Sequence, residues 1–257
     1  MIRELAPEAA IFGGPDIRWC GNEAGRTRDT EWSVIPVESG DTSGVDRTAQ
    51  DLGSDAMLTA RTYESYEKSY EAKFLYYMIA EVDTSIRHGW FWRDDDQQSV
   101  RTPDDVFDIY ERSVGGNTGF LLNVPPNRQG LISPRDESCL VEVGRRIQAT
   151  YAKNLIDEAA ISGAESESPM VAKLTDGDLA TYWQPAESAS EFFIHLDQPP
   201  RINRFNLQEA ISTVGQRIKT HQLDAWMGGD WKTNASGTTD GSKKILRFHD
   251  VKTDTLR

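Results

Sequence analysis

The sequence predicts two units of different class. Residues 1–152 read as α/β, in the form of part of a (β/α)8-type barrel, and residues 153–257 as all-β, part of a β-sandwich of the jelly-roll type. Three observations carry this. Up to about residue 150, apolar strand-like runs alternate with capped amphipathic helices, the pattern of βα units around a parallel sheet. From Asn154 onward, short strand-like runs are separated by Gly, Pro, Asn and Asp at short intervals, the pattern of a sandwich. Neither part holds a full complement of elements. A closed eight-stranded barrel takes about 250 residues, and the first part offers about four strand–helix units. The second part stops at TDTLR with its strand pattern still running, so both ends are expected to be cut.

Taken in order, residues 1–6 end a helix that runs into Pro7, and residues 9–14 (AAIFGG) have the apolar content of a short buried strand. A long loop rich in Gly, Trp and charge leads to a second strand at residues 32–35. Residues 37–58 are polar and acidic, which predicts a surface loop. Residues 63–77 are dense in Tyr, Glu and Lys and show no decisive period. Residues 78–83 form a further strand, followed by a loop carrying HGWFWRDDD. Thr102-Pro103-Asp104 supplies an N-cap, a proline at the first helical position and an acid in the first turn. Val106, Phe107 and Tyr110 are expected on one face of that helix. Residues 118–124 (TGFLLNV) are a compact apolar strand with Asn123 at its C-terminal end. Ser133-Pro134 opens another helix, with Leu140, Val143 and Ile147 as its stripe. In the second part the strand-like runs are residues 192–196, 204–208, 221–225 and 244–248.

Lys and Arg number 28 against 41 Asp and Glu, a net charge of −13. That balance lacks the basic footprint of a phosphate-backbone binder, so nucleic acid is not an expected partner. Seven Trp and eight Tyr supply flat faces that stack on sugar rings as well as fill cores. Cys20 and Cys139, with no CxxC pair, favour free thiols over zinc or a disulfide framework. No apolar run approaches the roughly 20 residues of a membrane span, and Met1 opens no signal peptide.

Barrel active sites lie beyond the C-terminal ends of strands. The loop after AAIFGG takes that place and holds Trp19, Asn22, Glu23, Glu31 and Trp32. Glu23 sits among glycines that let backbone approach a ligand, which suits a general acid/base; a solvated loop carboxylate fits the same residues. Glu81 and Asp83 end the next strand, as a second carboxylate pair or as ion-pair partners of Arg87. Trp90 and Trp92, two apart, would share a strand face as a sugar platform or an aromatic core layer. His88 could donate to a hydroxyl or serve the fold. Asp94-Asp95-Asp96 lacks calcium-loop spacing and reads as a solvated turn.

GGPDIRWCGNEAG with TEWSVIP, EVDTSIRHGWFWR, and YERSVGGNTGFLLNVPPNRQGLI together resemble glycoside hydrolase family 29, the α-L-fucosidases, in its α-1,3/4-specific branch. The resemblance spans residues 1–150 in order. It implies that Glu23, the glutamate of the GNE motif, is the general acid/base, with Glu81 as runner-up because another branch places its acid later. It implies substrate contacts from Trp19, Asn22, Glu31, Trp32, His88 and Trp90. The family's nucleophile, an aspartate of a WxDG motif on an earlier strand, has no match in this sequence and is expected upstream of Met1. Cys20 stands where an aliphatic residue is expected.

LTDGDLATYW, INRFNLQEAI, VGQRIKTHQLDAW and WKTNASGTTDGSKKILRF resemble the coagulation factor 5/8 C-type, or discoidin-like, domain, which also serves as a carbohydrate-binding module. This implies a structural calcium ion near Asp176 and Thr181; a plain Asp-Gly turn fits the same residues. Trp183 and Trp231 are expected in the core. The function implied is a retaining exo-acting fucosidase that releases α-1,3- or α-1,4-linked fucose from glycans. No cofactor is required for catalysis, and the full-length protein would be secreted or periplasmic. The alternatives are an inactive sugar-binding remnant, or a different retaining glycosidase with the same β-module.

Overall fold

The computed structural model describes residues 2–12, 16–28, 31–37, 73–94, 97–157, 159–163 and 169–257. Most of the expected 37–58 loop and of the 63–77 stretch lies outside the described residues. The chain forms two compact units, Met1–Ala149 and Thr150–Arg257.

The first unit opens with a single helical turn, α1 (Ile2–Leu5), and is organised on a three-stranded parallel sheet of order β1-β4-β5. The strands are β1 (Ile17–Trp19), β4 (Ile79–Ser85) and β5 (Thr118–Asn123). Register sets Trp19 beside Glu81 and Glu81 beside Gly119, so these residues share one face. Along β4, Ala80, Val82 and Thr84 are buried while Ile79, Glu81 and Asp83 are partly open, the period of two that a strand imposes. The buried side is covered by two helices, α2 (Pro103–Ser113) and α3 (Pro134–Tyr151). Ile86, Val106, Cys139 and Val143 form the core there, with Phe120, Leu122, Leu140 and Ile147 packed against it. The other face carries Trp19, Glu81, Asp83 and the exposed Leu121.

Thr102 caps α2 as expected: its hydroxyl accepts from the Asp105 amide at 3.2 Å, and Pro103 takes the first helical position. The buried stripe of α2 differs from expectation. Val106 is joined by Ile109, whereas Phe107 and Tyr110 are only partly buried and stack on each other at 6.3 Å. Ile109 faces Gly25, where an added Cβ would lie 3.0 Å from its Cδ1.

The first expected strand moves along the chain. Phe12 makes one bridge to Ile17, and the strand itself is Ile17–Trp19. Asp16 accounts for this: it accepts from the Ile11 amide at 2.7 Å and pairs with Arg3, so its side chain is committed to the residues before the strand. The second strand is also later than expected. β2 (Val34–Val37) pairs antiparallel with β3 (Phe74–Tyr77), apart from the parallel sheet. Trp90 and Trp92 do not share a strand face, because Gly89 takes φ +111° and the chain bends there.

Both cysteines are free and buried. Cys20 packs with Ala80 and Val82, doing the work of the aliphatic residue expected there. Burial, with the nearby Glu31 charge, pushes its thiol up to about 12. Burial raises Cys139 as well.

The second unit is built from antiparallel strands. A five-stranded sheet has the order β10-β9-β12-β7-β6, and β11 pairs with β8 in a second sheet. The strands are β6 (Ala160–Gly163), β7 (Phe192–His195), β8 (Arg201–Leu207), β9 (His221–Met227), β10 (Asp230–Gly237), β11 (Lys244–Lys252) and β12 (Thr255–Leu256). Ile194, Leu223, Ala225 and Leu256 from one sheet meet Ile202, Leu246 and Val251 from the other in one apolar core. The β9–β10 turn is Gly228-Gly229, both at positive φ (62° and 89°), as a two-residue hairpin of matching twist requires. Trp183 packs edge-on to Phe192, and Trp231 packs against Trp226 and Phe193.

Candidate active site

The residues with chemistry gather at the C-terminal ends of β1, β4 and β5. After Trp19 the chain folds back along β4: the Cys20 amide donates to the Glu81 carbonyl at 3.0 Å and the Gly25 amide to the Asp83 carbonyl at 3.1 Å. Gly21 and Gly25 take φ of 81° and 70°, which lets the loop turn so tightly. Asn22 clasps it from within. Its Oδ1 accepts from the amides of Ala24 (3.1 Å) and Arg26 (3.0 Å), and its Nδ2 donates to the Arg26 carbonyl (3.1 Å). Asn22 therefore shapes the loop, and Glu23 stands exposed at its apex.

The Trp90 indole donates to Glu23 Oε2 at 2.7 Å. The Trp19 indole donates to Asp83 Oδ1 at 3.1 Å. Asn123, at the end of β5, donates to the Trp90 carbonyl at 2.9 Å and to Ser85 Oγ at 3.0 Å. Trp19 thus ties the end of β1 to Asp83 of β4, and Asn123 at the end of β5 supports the Trp90 that reaches Glu23.

Sequence reasoning missed what holds the Trp90 loop. Buried Gln98 donates to the carbonyls of His88 and Phe91, both at 3.0 Å, and accepts from the Arg93 amide at 2.9 Å. Arg87 does not pair with Glu81. Its guanidinium lies on Asp136 at 2.9 Å and donates to Ser133 Oγ at 2.6 Å, fully buried beneath the loop. No local pattern marks Gln98 as a hub, since most of its partners are backbone groups. The His88 side chain is exposed.

Two of the residues expected to contact substrate, Glu31 and Trp32, are buried. Glu31 is only 2 % exposed and lies between Arg18 and Arg28, with Arg28 at 2.6 Å. Its backbone carbonyl accepts from Asn117 at 2.9 Å. A carboxylate buried between two guanidinium groups is committed to the fold. Trp32 is buried beside it, and its carbonyl accepts from Arg18 at 2.9 Å.

Burial above all, and then the Glu23 charge, raises the pKa of Asp83, against the Trp19 hydrogen bond. Burial and then the Asp83 charge raise Glu81. A carboxyl with a higher pKa folded than unfolded binds more protons in the native state. Stability therefore falls as pH rises from the ordinary range, about 3.9–4.3, through the raised values. Asp83→Asn keeps an oxygen for the Trp19 indole and removes this charge. Its thermal midpoint is expected to exceed the parent's above about pH 5 and to converge with it near about pH 3. A gain that persisted undiminished in acid would show that the charge is not its source.

Asp176 and Thr181 do meet. The Thr181 hydroxyl donates to Asp176 Oδ2 at 2.5 Å, and the Asp178 amide donates to Oδ1 at 2.9 Å. These bonds hold the carboxylate below its usual range and belong to the turn itself. Among the described residues, no group of three or more His, Cys, Asp or Glu is placed to hold a metal ion. Among the described residues, no helix is long and apolar enough to cross a membrane.

Comparison with known proteins places this geometry. The α-L-fucosidase family model matches residues 14–150. Alpha-L-fucosidase 1 of Arabidopsis thaliana is 34% identical over 262 residues, covering 98% of this chain and 48% of the plant protein. The crystal structure of SpGH29 superposes with a TM-score of 0.81 at 29% identity, over 99% of this chain and 53% of that one. A Ruminococcus gnavus GH29 fucosidase in complex with fucose gives a TM-score of 0.77 at 25% identity, over 96% of this chain and 48% of its own. The chain thus spans about half the length of the relatives it matches. With the family model covering more than half of its residues, the chain belongs to the α-L-fucosidases, glycoside hydrolase family 29.

Proposed function

We propose that the full-length protein is a retaining exo-α-L-fucosidase acting on α-1,3- and α-1,4-linked fucose, with Glu23 as its general acid/base. The observation that carries this reading is the Trp90–Glu23 hydrogen bond, at 2.7 Å, on a loop laid across the C-terminal end of a parallel sheet. A carboxyl that must give a proton to the leaving oxygen and later take one from water needs a fixed position. An indole donor on one oxygen supplies that while the other oxygen stays free for the substrate. Asp83 lies close enough to raise its own pKa through the Glu23 charge, so the two carboxyls share one electrostatic site.

Double displacement needs a nucleophile about 5–5.5 Å from the acid. That aspartate is assigned to a segment outside these 257 residues, in keeping with relatives about twice as long. The 257-residue chain alone is accordingly read as inactive, with the Glu81 and Asp83 face of its sheet left open. The second unit is read as a discoidin-like carbohydrate-binding module, supported by its sequence blocks and by two antiparallel sheets around one core. Export to the periplasm or cell exterior belongs to the same reading. No observation favours a different retaining glycosidase.

The test is stereochemical. Proton NMR of an aryl α-L-fucoside digested by the full-length protein is expected to show the α-anomer of fucose first. First appearance of the β-anomer would exclude double displacement, and absence of any hydrolysis would exclude the assignment.

A further inference from the structure

We infer that the outer face of the β8–β11 sheet binds an anionic polysaccharide, one that carries sulfate or carboxylate groups. The site belongs to the second unit and goes beyond the fucosidase reading, resting on none of the Glu23 geometry.

Register defines the face. Leu246 pairs with Phe205 and Val251 with Ile202, and all four pack into the apolar core. Successive side chains on a strand point to opposite sides, so the rungs that adjoin these pairs point away from the core. Two of those rungs are Arg247 opposite Arg204 and Lys252 opposite Arg201. Each sets two cations side by side, with Cβ atoms about 4.5–5.5 Å apart, and like charges so placed oppose folding.

The sign of the face runs against that of the molecule. The chain carries a net charge of −13, whereas β8 and β11 together hold five Lys or Arg and a single carboxylate, Asp250. An anion laid across the rungs relieves the repulsion within them. Arg201, Arg247 and Lys252 are exposed, and Arg204 is half-buried. Guanidinium forks match the paired oxygens of carboxylates and similar oxyanions. Asp250 meets Arg201 at 3.4 Å, with side chains 47% and 73% exposed, a contact that costs little to exchange for a ligand's.

Spacing favours a polysaccharide over a nucleic acid. From Arg204 to Arg201 the strand advances about 10 Å, a length that a disaccharide spans. Asn203 and His249 are exposed beside the two rungs, polar groups that suit sugar hydroxyls between the charged substituents. Duplex DNA presents one charge per about 1.7 Å and calls for a denser basic footprint. The acidic remainder of the surface repels so dense an anion.

The experiment titrates the full-length protein with dextran sulfate, polygalacturonate and uncharged dextran. Duplex DNA and vesicles of phosphatidylserine in phosphatidylcholine are run alongside. At least one of the two anionic polysaccharides is expected to bind, with an affinity that falls as salt is raised, and uncharged dextran is not. Arg247→Glu turns one rung into a pair of opposite sign. It is expected to lower the affinity by about tenfold or more while the thermal midpoint stays level or rises. Arg201→Gln combined with Lys252→Gln is expected to weaken binding at the second rung with the midpoint held. Hydrolysis of an aryl α-L-fucoside is expected to keep the parent's rate in both variants. Undiminished binding in both variants, or uncharged dextran held as tightly as the anionic chains, would overturn the inference. Tighter binding of DNA or of vesicles would overturn it by assigning the face to phosphate. A midpoint that fell together with affinity in both variants would show that the rungs serve the fold, and would overturn it as well. A parent protein that cleaves no fucoside leaves this test intact, since its readout is binding.

Discussion

Glu23→Ala in the full-length protein is expected to lower turnover of aryl fucosides with poor leaving groups by about 10²–10⁴-fold, the usual contribution of a positioned acid/base. Where the leaving group is good, the first step needs little protonation, and deglycosylation limits the rate. Azide, a nucleophile that needs no general base, is then expected to restore part of the activity. The loop should survive the change, because its shape depends on Asn22, Gly21 and Gly25 rather than on the Glu23 side chain. Glu81→Gln separates the runner-up. Glu81 lies on the sheet face one turn of register before Asp83, and no azide-sensitive loss is expected from it. An unchanged rate in Glu23→Ala, or azide rescue in Glu81→Gln, would reverse the two roles.

The second large effect is on stability. Glu31→Ala is expected to destabilise the fold by about 3–5 kcal/mol, because it leaves two buried guanidinium groups without that carboxylate. Arg18 and Glu31 have side chains 0% and 1% exposed, so solvent cannot compensate. The same pair fixes the start of β2, since Arg18 also holds the Trp32 carbonyl. A denaturant midpoint shifted down at constant slope is the expected readout. If Glu31 instead contacted substrate, KM would rise while the midpoint stayed put.

These two residues show where sequence reading stops. Glu23 and Glu31 sit eight positions apart in one polar, Trp-rich loop, and composition cannot tell them apart. What separates them is which guanidinium groups surround each carboxylate, a property set by pairing of β1 with β4 and legible only in three dimensions. Elements governed by local chemistry were legible: the Thr102 cap, the Pro103 and Pro134 helix starts, and the compact apolar strand at residues 118–123. The strand near residue 12 was displaced because Asp16 reaches back to Arg3 and Ile11, a side-chain choice that hydrophobic runs do not record. Gln98 and Asn123 were unreadable as loop supports for the same reason, since both act on backbone groups that no side-chain pattern records.

The sealed position of Cys20 has a practical bearing on handling. Its thiol is held in the unreactive, protonated form, packed beneath the acid/base loop, and Cys139 is likewise enclosed between strand and helix. Alkylating reagents and mild oxidants therefore meet neither sulfur until the unit opens. A maleimide added to the native protein becomes a reporter of that opening, and reducing agents can be left out of the storage buffer.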